Sequence, residues 1–125
     1  MKKKQLILLI EDDEFLAELY ATKLGLEGFE VALASDGEKG WKLIAEKKPT
    51  LVLLDIILPK MDGFEILKKV KEDVTLKNIP IILLTNLSQK DEVKKGLELG
   101  ANDYLIKAHF MPSEVVKKIR QTIGD

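Results

Sequence analysis

The sequence has no cysteine, which excludes disulfides, thiolate metal sites and cysteine nucleophiles. It also lacks any run near the ~18 apolar residues that a membrane span needs. The apolar run after the three N-terminal lysines, Leu6–Ile10, is shorter than the ~7–15 residues of a signal peptide. Neither charge sign is in excess, since 20 Lys and Arg face 21 Asp and Glu, whereas nucleic-acid binding usually needs a basic surface. We therefore expect a cytoplasmic protein that does not bind nucleic acid or membranes directly.

The remaining composition is typical of one globular domain. The chain has 125 residues, of which 46% are apolar and 33% charged. That length fits a single domain and is enough to bury a hydrophobic core. No linker or low-complexity segment divides it, so we expect residues 1–125 to form one domain.

Short, continuous apolar runs recur along the chain. Runs of this length without polar alternation are typical of strands covered on both faces, as in a parallel sheet. Irregular spacing between them, without a repeated consensus, disfavours the alternative of a leucine-rich repeat. The runs are Leu6–Ile10, Val31–Ala34, Leu51–Leu58 (interrupted by Asp55), Ile79–Leu84 and Tyr104–Ile106.

Segments with helical spacing lie between these runs. Leu16, Tyr20 and Leu24 step by four residues, and Gly28 is suited to ending that helix. The resulting βα order, repeated five times, predicts an α/β fold with right-handed crossovers. We expect a doubly wound, flavodoxin-like parallel sheet of five strands in the order 2-1-3-4-5, with helices on both faces. Later helix starts are predicted at Asp36, at Asp62 with Glu65, at Ser88 with Asp91, and at Pro112.

Polar residues end or follow four of the five apolar runs. Glu11 and Asp12 come directly after the first run, and Asp55 lies within the third. Thr85 ends the fourth run and Lys107 follows the fifth. Open α/β sheets bind ligands beyond the carboxyl ends of their strands, where the strand order reverses. We therefore expect these side chains to converge on one crevice.

A cluster of acids at this edge favours a bound cation. Two carboxylates about 5 Å apart repel by roughly 3 kcal/mol at an effective dielectric near 20. An all-oxygen set with few protein ligands and room for water suits Mg²⁺ better than Ca²⁺. Mg²⁺ and Lys107 would together offset the acidic charge and prepare the site for a phosphoryl group. A carboxylate here could act as a nucleophile and form an aspartyl phosphate.

Four segments carrying these residues closely resemble the receiver domain of two-component response regulators. They are Glu11-Asp12, Asp55 in LVLLDIILPKMDG, Thr85 in IPIILLT and Lys107 in GANDYLIK. The resemblance covers essentially the whole chain. It implies a phosphoprotein of phosphorelay signal transduction, which is not an enzyme but assists only its own phosphorylation and dephosphorylation.

The resemblance also implies roles for the acidic residues. Asp55 would accept the phosphoryl group from a sensor histidine kinase or a histidine phosphotransfer protein. Asp12 and Asp55 would bind Mg²⁺ directly, with the backbone carbonyl of Ile57 as the third protein ligand. Glu11 would contribute through a coordinated water.

For the rest of the site, the resemblance implies a switch. Thr85 and Lys107 would bind phosphoryl oxygens, and Tyr104 would change rotamer when Thr85 moves. The signal would then be read by an unknown downstream protein on the face made by the fourth helix, fifth strand and fifth helix.

Several positions depart from the family's usual pattern. Ala108 follows Lys107 where the family usually has proline, so we expect either a trans bond with a rearranged loop or a strained cis bond. Asn86 is bulkier than the usual small residue after the threonine. Ile57 and Leu87 flank the path of the hydrolytic water by resemblance, and neither can orient a water by side-chain hydrogen bonding. Because no segment follows the last helix, we expect no output domain in this chain.

Two other function classes remain open. An aspartate-nucleophile phosphatase also uses Asp and Mg²⁺, but its pattern has a second Asp where this chain has Ile57. A metal-free interaction module would be favoured if the departures prevented phosphorylation.

Overall fold

The computed structural model describes residues 4–86, 89–107 and 111–124. Five strands form one parallel sheet in the order β2-β1-β3-β4-β5, which confirms the predicted fold class and topology. The strands are β1 (Leu6–Ile10), β2 (Glu30–Ala34), β3 (Leu51–Asp55), β4 (Ile81–Thr85) and β5 (Asp103–Ile106). The helices are α1 (Glu14–Leu26), α2 (Gly37–Lys47), α3 (Gly63–Glu72), α4 (Lys90–Glu98) and α5 (Pro112–Ile123).

The sheet is covered on both faces and separates two cores, and β1 contributes to both of them. Leu8 and Ile10 pack with side chains of α2 and α3. Their neighbours Ile7 and Leu9 point the other way and pack with α1 and α5. This two-sided burial explains why the strands are continuously apolar rather than alternating.

Aspartates cap three of the helices. The Asp36 carboxylate accepts the Lys39 N–H at 2.8 Å, and the Asp62 carboxylate accepts the Glu65 N–H at 2.9 Å. Both caps were predicted and are confirmed. Asp13 caps α1 in the same way, through the Leu16 N–H, and was not predicted.

The last two helices begin differently. Pro112 occupies the first turn of α5, as predicted. The cap predicted for α4 at Ser88 lies outside the described residues. The residue before α4 is Gln89, whose side chain makes no capping hydrogen bond to its own helix.

The third apolar run forms a shorter strand than predicted. The expected segment was Leu51–Leu58, but β3 ends at Asp55. The chain turns there, and the Gly63 N–H donates to the Ile56 carbonyl oxygen at 2.9 Å. A Cβ atom at Gly63 would lie 2.6 Å from the Asp55 carbonyl oxygen, so this close approach requires glycine. The turn therefore fixes Asp55 at the very end of its strand.

The fourth strand also differs at its boundaries from the predicted run. It begins at Ile81 rather than Ile79 and extends to Thr85. None of the helices in the described part of the chain is long and apolar enough to cross a bilayer.

Candidate functional site

The candidate site lies at the carboxyl edge of the sheet, where the predicted residues come from four strand ends. Glu11 and Asp12 follow β1, and Asp55 is the last residue of β3. Thr85 is the last residue of β4, and Lys107 follows β5 directly. Since β1 pairs with both β2 and β3, its acidic residues lie at the switch point of the strand order.

Lys107 joins the two buried acids of the site. Its Nζ atom lies 2.7 Å from Glu11 Oε1 and 2.8 Å from Asp55 Oδ2. The contact with Asp55 is a directed hydrogen bond, whereas Glu11 Oε1 has no well-directed hydrogen-bond donor among the described residues. Glu11 is 1% exposed and Asp55 is 5% exposed, so both acids are largely removed from water, whereas Lys107 is partly exposed.

The charges of this cluster shift one another's pKa values. Burial and the nearby Asp55 raise the pKa of Glu11, although Lys107 opposes the shift. Burial and Glu11 raise the pKa of Asp12. Burial alone would lower the pKa of Lys107, but its contacts with Asp55 and Glu11 outweigh burial and raise it. The site therefore holds more negative charge than one lysine neutralises.

The donor set fits a hard divalent cation. One carboxylate oxygen from each of Glu11, Asp12 and Asp55 lies within 4.8 Å of the others. The buried Glu11 Oε1 has the Lys107 ammonium as its neighbouring donor among the described residues, and Lys107 also serves Asp55. Carboxylate oxygens are the ligands that Mg²⁺ prefers, with water completing the octahedron. This acidic cluster could therefore hold Mg²⁺.

Thr85 has a partner that the sequence interpretation missed. Its hydroxyl lies 3.0 Å from Gln89 Oε1, which also accepts the Asn86 N–H at 2.6 Å. Thr85 and Gln89 are both buried. Only the presence of an amide side chain just before α4 could have suggested this contact, because the bond depends on the path of the intervening loop.

The remaining predicted residues lie around this cluster. The Ile57 N–H donates to Asp55 Oδ1 at 3.3 Å, and the Ile57 side chain is 62% exposed. Tyr104 lies in β5 with its side chain 37% exposed, and the Lys118 Nζ atom lies 5.5 Å from its ring centre. Leu87 and the Lys107–Ala108 bond lie outside the described residues.

A family model for the response regulator receiver domain matches residues 7–120. The chain belongs to this family. Receiver domains are phosphoacceptors rather than catalytic enzymes, so the predicted family and its non-enzymatic class are confirmed. The predicted assignment to the response regulators of two-component systems is confirmed as well.

Relatives of known function extend beyond this domain. The chain is 37% identical over 114 residues to the DNA-binding dual master transcriptional regulator RpaA of Synechocystis sp.. The match covers 91% of this chain but 47% of that protein. The chain thus spans about half the length of the curated relatives it matches.

Solved receiver domains share the fold over nearly the whole chain. One is the receiver domain of a sensor histidine kinase from Pseudomonas aeruginosa, with a magnesium ion coordinated in its active-site cleft. It is 28% identical, with a TM-score of 0.89, covering 98% of this chain and 100% of that one. Another is the BeF₃-activated receiver domain of Klebsiella pneumoniae RstA. It is 32% identical, with a TM-score of 0.87, covering 97% of this chain and 100% of that one.

Proposed function

We propose that residues 1–125 act as one receiver domain, a phosphorylation-activated switch whose phosphoacceptor is Asp55. The observation that carries this proposal is the position of Asp55, which is buried at the end of β3 beside two other acids and bonded to Lys107. A carboxylate can act as a nucleophile, and a neighbouring cation offsets the negative charge that gathers as it approaches a phosphoryl group.

The proposed reaction transfers a phosphoryl group from histidine to aspartate. An Asp55 carboxylate oxygen forms a bond to phosphorus while the P–N bond of the phosphohistidine breaks. The imidazole leaves with the electron pair of that bond and takes up a proton. Lys107 and Thr85 bind oxygens of the transferred group. The donor is a sensor histidine kinase or a histidine phosphotransfer protein, which we expect to meet this domain in the cytoplasm.

The acidic cluster would hold Mg²⁺ for this reaction. Asp12 and Asp55 would bind it directly with the Ile57 carbonyl, and Glu11 would bind through a coordinated water. When bound, Mg²⁺ neutralises charge on the transferring phosphoryl oxygens. The three carboxylates within 4.8 Å of one another support this assignment.

Replacing Asp12 with Asn should weaken Mg²⁺ binding and stabilise the metal-free protein at neutral pH. Mutating residues that only position a metal ligand reduces metal affinity by roughly 10–100-fold. Loss of a direct ligand should therefore reduce Mg²⁺ affinity by at least that much. Burial and Glu11 raise the folded-state pKa of Asp12, so its ionisation disfavours the fold once pH rises through the unfolded pKa. The gain in stability should therefore disappear below about pH 3.9. Mg²⁺ titration and urea midpoints at pH 7 and pH 3 measure both effects.

Glu18→Gln is the control for this variant, because it removes an exposed acid from α1 outside the cluster. It should leave Mg²⁺ affinity unchanged. An Asp12→Asn protein with wild-type Mg²⁺ affinity and lower metal-free stability at pH 7 would contradict the metal assignment.

We propose that the switch is read on the face made by α4, β5 and α5. Thr85 and Tyr104 line a common cavity of about 280 Å³ at the base of this face, which supports a coupling between them. Saturation with Mg²⁺ and beryllofluoride, a phosphoryl mimic, should shift backbone amide resonances in residues 89–107 by NMR. Shifts confined to residues around Asp55 would contradict the coupling.

The phosphorylation proposal is tested with a small acyl phosphate. Incubation with Mg²⁺ should add one phosphoryl group by intact mass, and omission of Mg²⁺ with chelator should prevent the addition. No addition under any Mg²⁺ concentration would instead favour a metal-free interaction module.

A further inference from the structure

The buried side chain of Gln89 connects the end of β4 to the start of α4. Its Oε1 atom accepts the Thr85 hydroxyl at 3.0 Å and the Asn86 N–H at 2.6 Å. Gln89 is 6% exposed and makes no side-chain cap to its own helix. Its carbonyl oxygen is therefore committed to the two donors at the strand end.

The orientation of this amide follows from its partners. A backbone N–H can only donate, so the Gln89 atom that faces Asn86 is the oxygen. The Thr85 hydroxyl has one hydrogen, and its other nearby acceptor is the Asn86 carbonyl oxygen at 3.1 Å. Gln89 Oε1 is the nearer of the two acceptors, so the hydrogen is directed to Gln89 and must be released before Thr85 can donate to a phosphoryl oxygen.

We propose that Gln89 is a positioning residue whose amide oxygen competes with the phosphoryl group for Thr85. This inference rests on the proposed function, because it assumes that Thr85 donates to the phosphoryl group. In the unphosphorylated protein Gln89 holds both the Thr85 hydroxyl and the Asn86 N–H. A phosphoryl oxygen displaces the Gln89 oxygen from Thr85. Because the Gln89 contact must be broken first, it lowers the affinity of the site for the phosphoryl group.

Displacement of the Gln89 side chain should also affect the start of α4. The Gln89 backbone carbonyl accepts the Val93 N–H at 2.9 Å in the first turn of that helix. Gln89 and Val93 line the same cavity as Thr85 and Tyr104. Release of the side chain therefore changes the contacts of the helix start and of the cavity wall together.

The test is Gln89→Met, which keeps the side-chain length but removes the acceptor. Since a protein hydrogen bond contributes modestly, beryllofluoride with Mg²⁺ should bind about threefold to tenfold more tightly than to wild type. The Asn86 amide proton should move upfield in the ligand-free variant, because its short hydrogen bond is lost. The urea midpoint should fall without beryllofluoride and stay near the wild-type value at saturation.

Gln121→Met is the control, since it makes the same change at an exposed position of α5, and it should alter neither readout. A purely structural role for Gln89 predicts equal destabilisation with and without beryllofluoride and an unchanged affinity, which would overturn the inference.

If Gln89→Met does not fold, Gln89→Glu serves instead. It keeps the acceptor and adds a charge, so tighter beryllofluoride binding by that variant would overturn the inference. Failure of wild type to bind beryllofluoride would count against the proposed function, not against Gln89 alone.

Discussion

Asp55→Asn should abolish phosphoryl incorporation from acyl phosphate while leaving the protein folded. The amide cannot form an acyl phosphate, and no other described carboxylate hydrogen bonds to Lys107 with the geometry of Asp55. The wild-type adduct should be labile to hydroxylamine, as expected for an acyl phosphate. Intact mass before and after hydroxylamine treatment measures both results.

The fold should tolerate this change for a specific reason. Asn keeps an oxygen that can accept the Ile57 N–H, which now donates to Asp55 Oδ1. Lys107 keeps Glu11 as a partner 2.7 Å away. The substitution also removes one of three clustered carboxylates, which relieves repulsion in the absence of metal.

Asp62→Asn is the matched control. Asp62 is exposed, and its carboxylate caps α3. Asn caps helices about as well as Asp, so the substitution should keep the cap. This variant should incorporate phosphate like wild type. Equal labelling of the Asp55→Asn protein would remove Asp55 as the phosphoacceptor and redirect the search to Glu11 and Asp12.

Much of the fold was predictable because burial on two faces leaves a strong pattern. Strands covered by helices on both sides must be apolar at successive positions, as in Leu6–Ile10. The same pattern misled at Leu51–Leu58, because Ile56 and Leu58 are buried without belonging to the strand. An apolar run therefore does not report whether the backbone continues its strand pairing, and Ile57 in this run is exposed.

The acidic site was predictable for a topological reason. Parallel strands place their carboxyl ends at one edge, and β1 and β3 are neighbours, so Glu11 and Asp55 had to approach one another once the strand order was known. Lys107 follows the edge strand β5, and its long side chain reaches across β4 to contact these acids at 2.7 and 2.8 Å. The carboxyl cluster is thus a consequence of the fold rather than of any local motif.

The partner of Thr85 was not predictable in this way. Gln89 lies four residues from Thr85, outside any strand register and just before the first residue of α4. Its hydrogen bonds depend on the backbone path between β4 and α4, and no periodic pattern encodes that path. Side-chain contacts made across a loop therefore need the structure.

A second large effect is expected for the lifetime of the phosphorylated state. By family resemblance, the side chain two residues after the acceptor flanks the path of the hydrolytic water. Here it is Ile57, which is 62% exposed and cannot hydrogen bond to water through its side chain. Positioned proton-transfer groups contribute roughly 10²–10⁴-fold. We therefore expect the phosphorylated wild-type protein to persist for many minutes or longer after donor removal.

Ile57→Asn should shorten that lifetime by about tenfold or more, because one amide restores part of the roughly 10²–10⁴-fold contribution of a water-positioning group. The position is exposed, so the polar side chain adds no buried, unsatisfied group. Leu26→Asn is the control: it makes a similar change at a 77% exposed residue at the end of α1. Intact mass followed over time after removal of acyl phosphate measures the decay. Loss of phosphate from wild type within seconds would contradict the expected persistence. An Ile57→Asn decay no faster than that of wild type would show that the missing water-orienting group at this position does not limit hydrolysis.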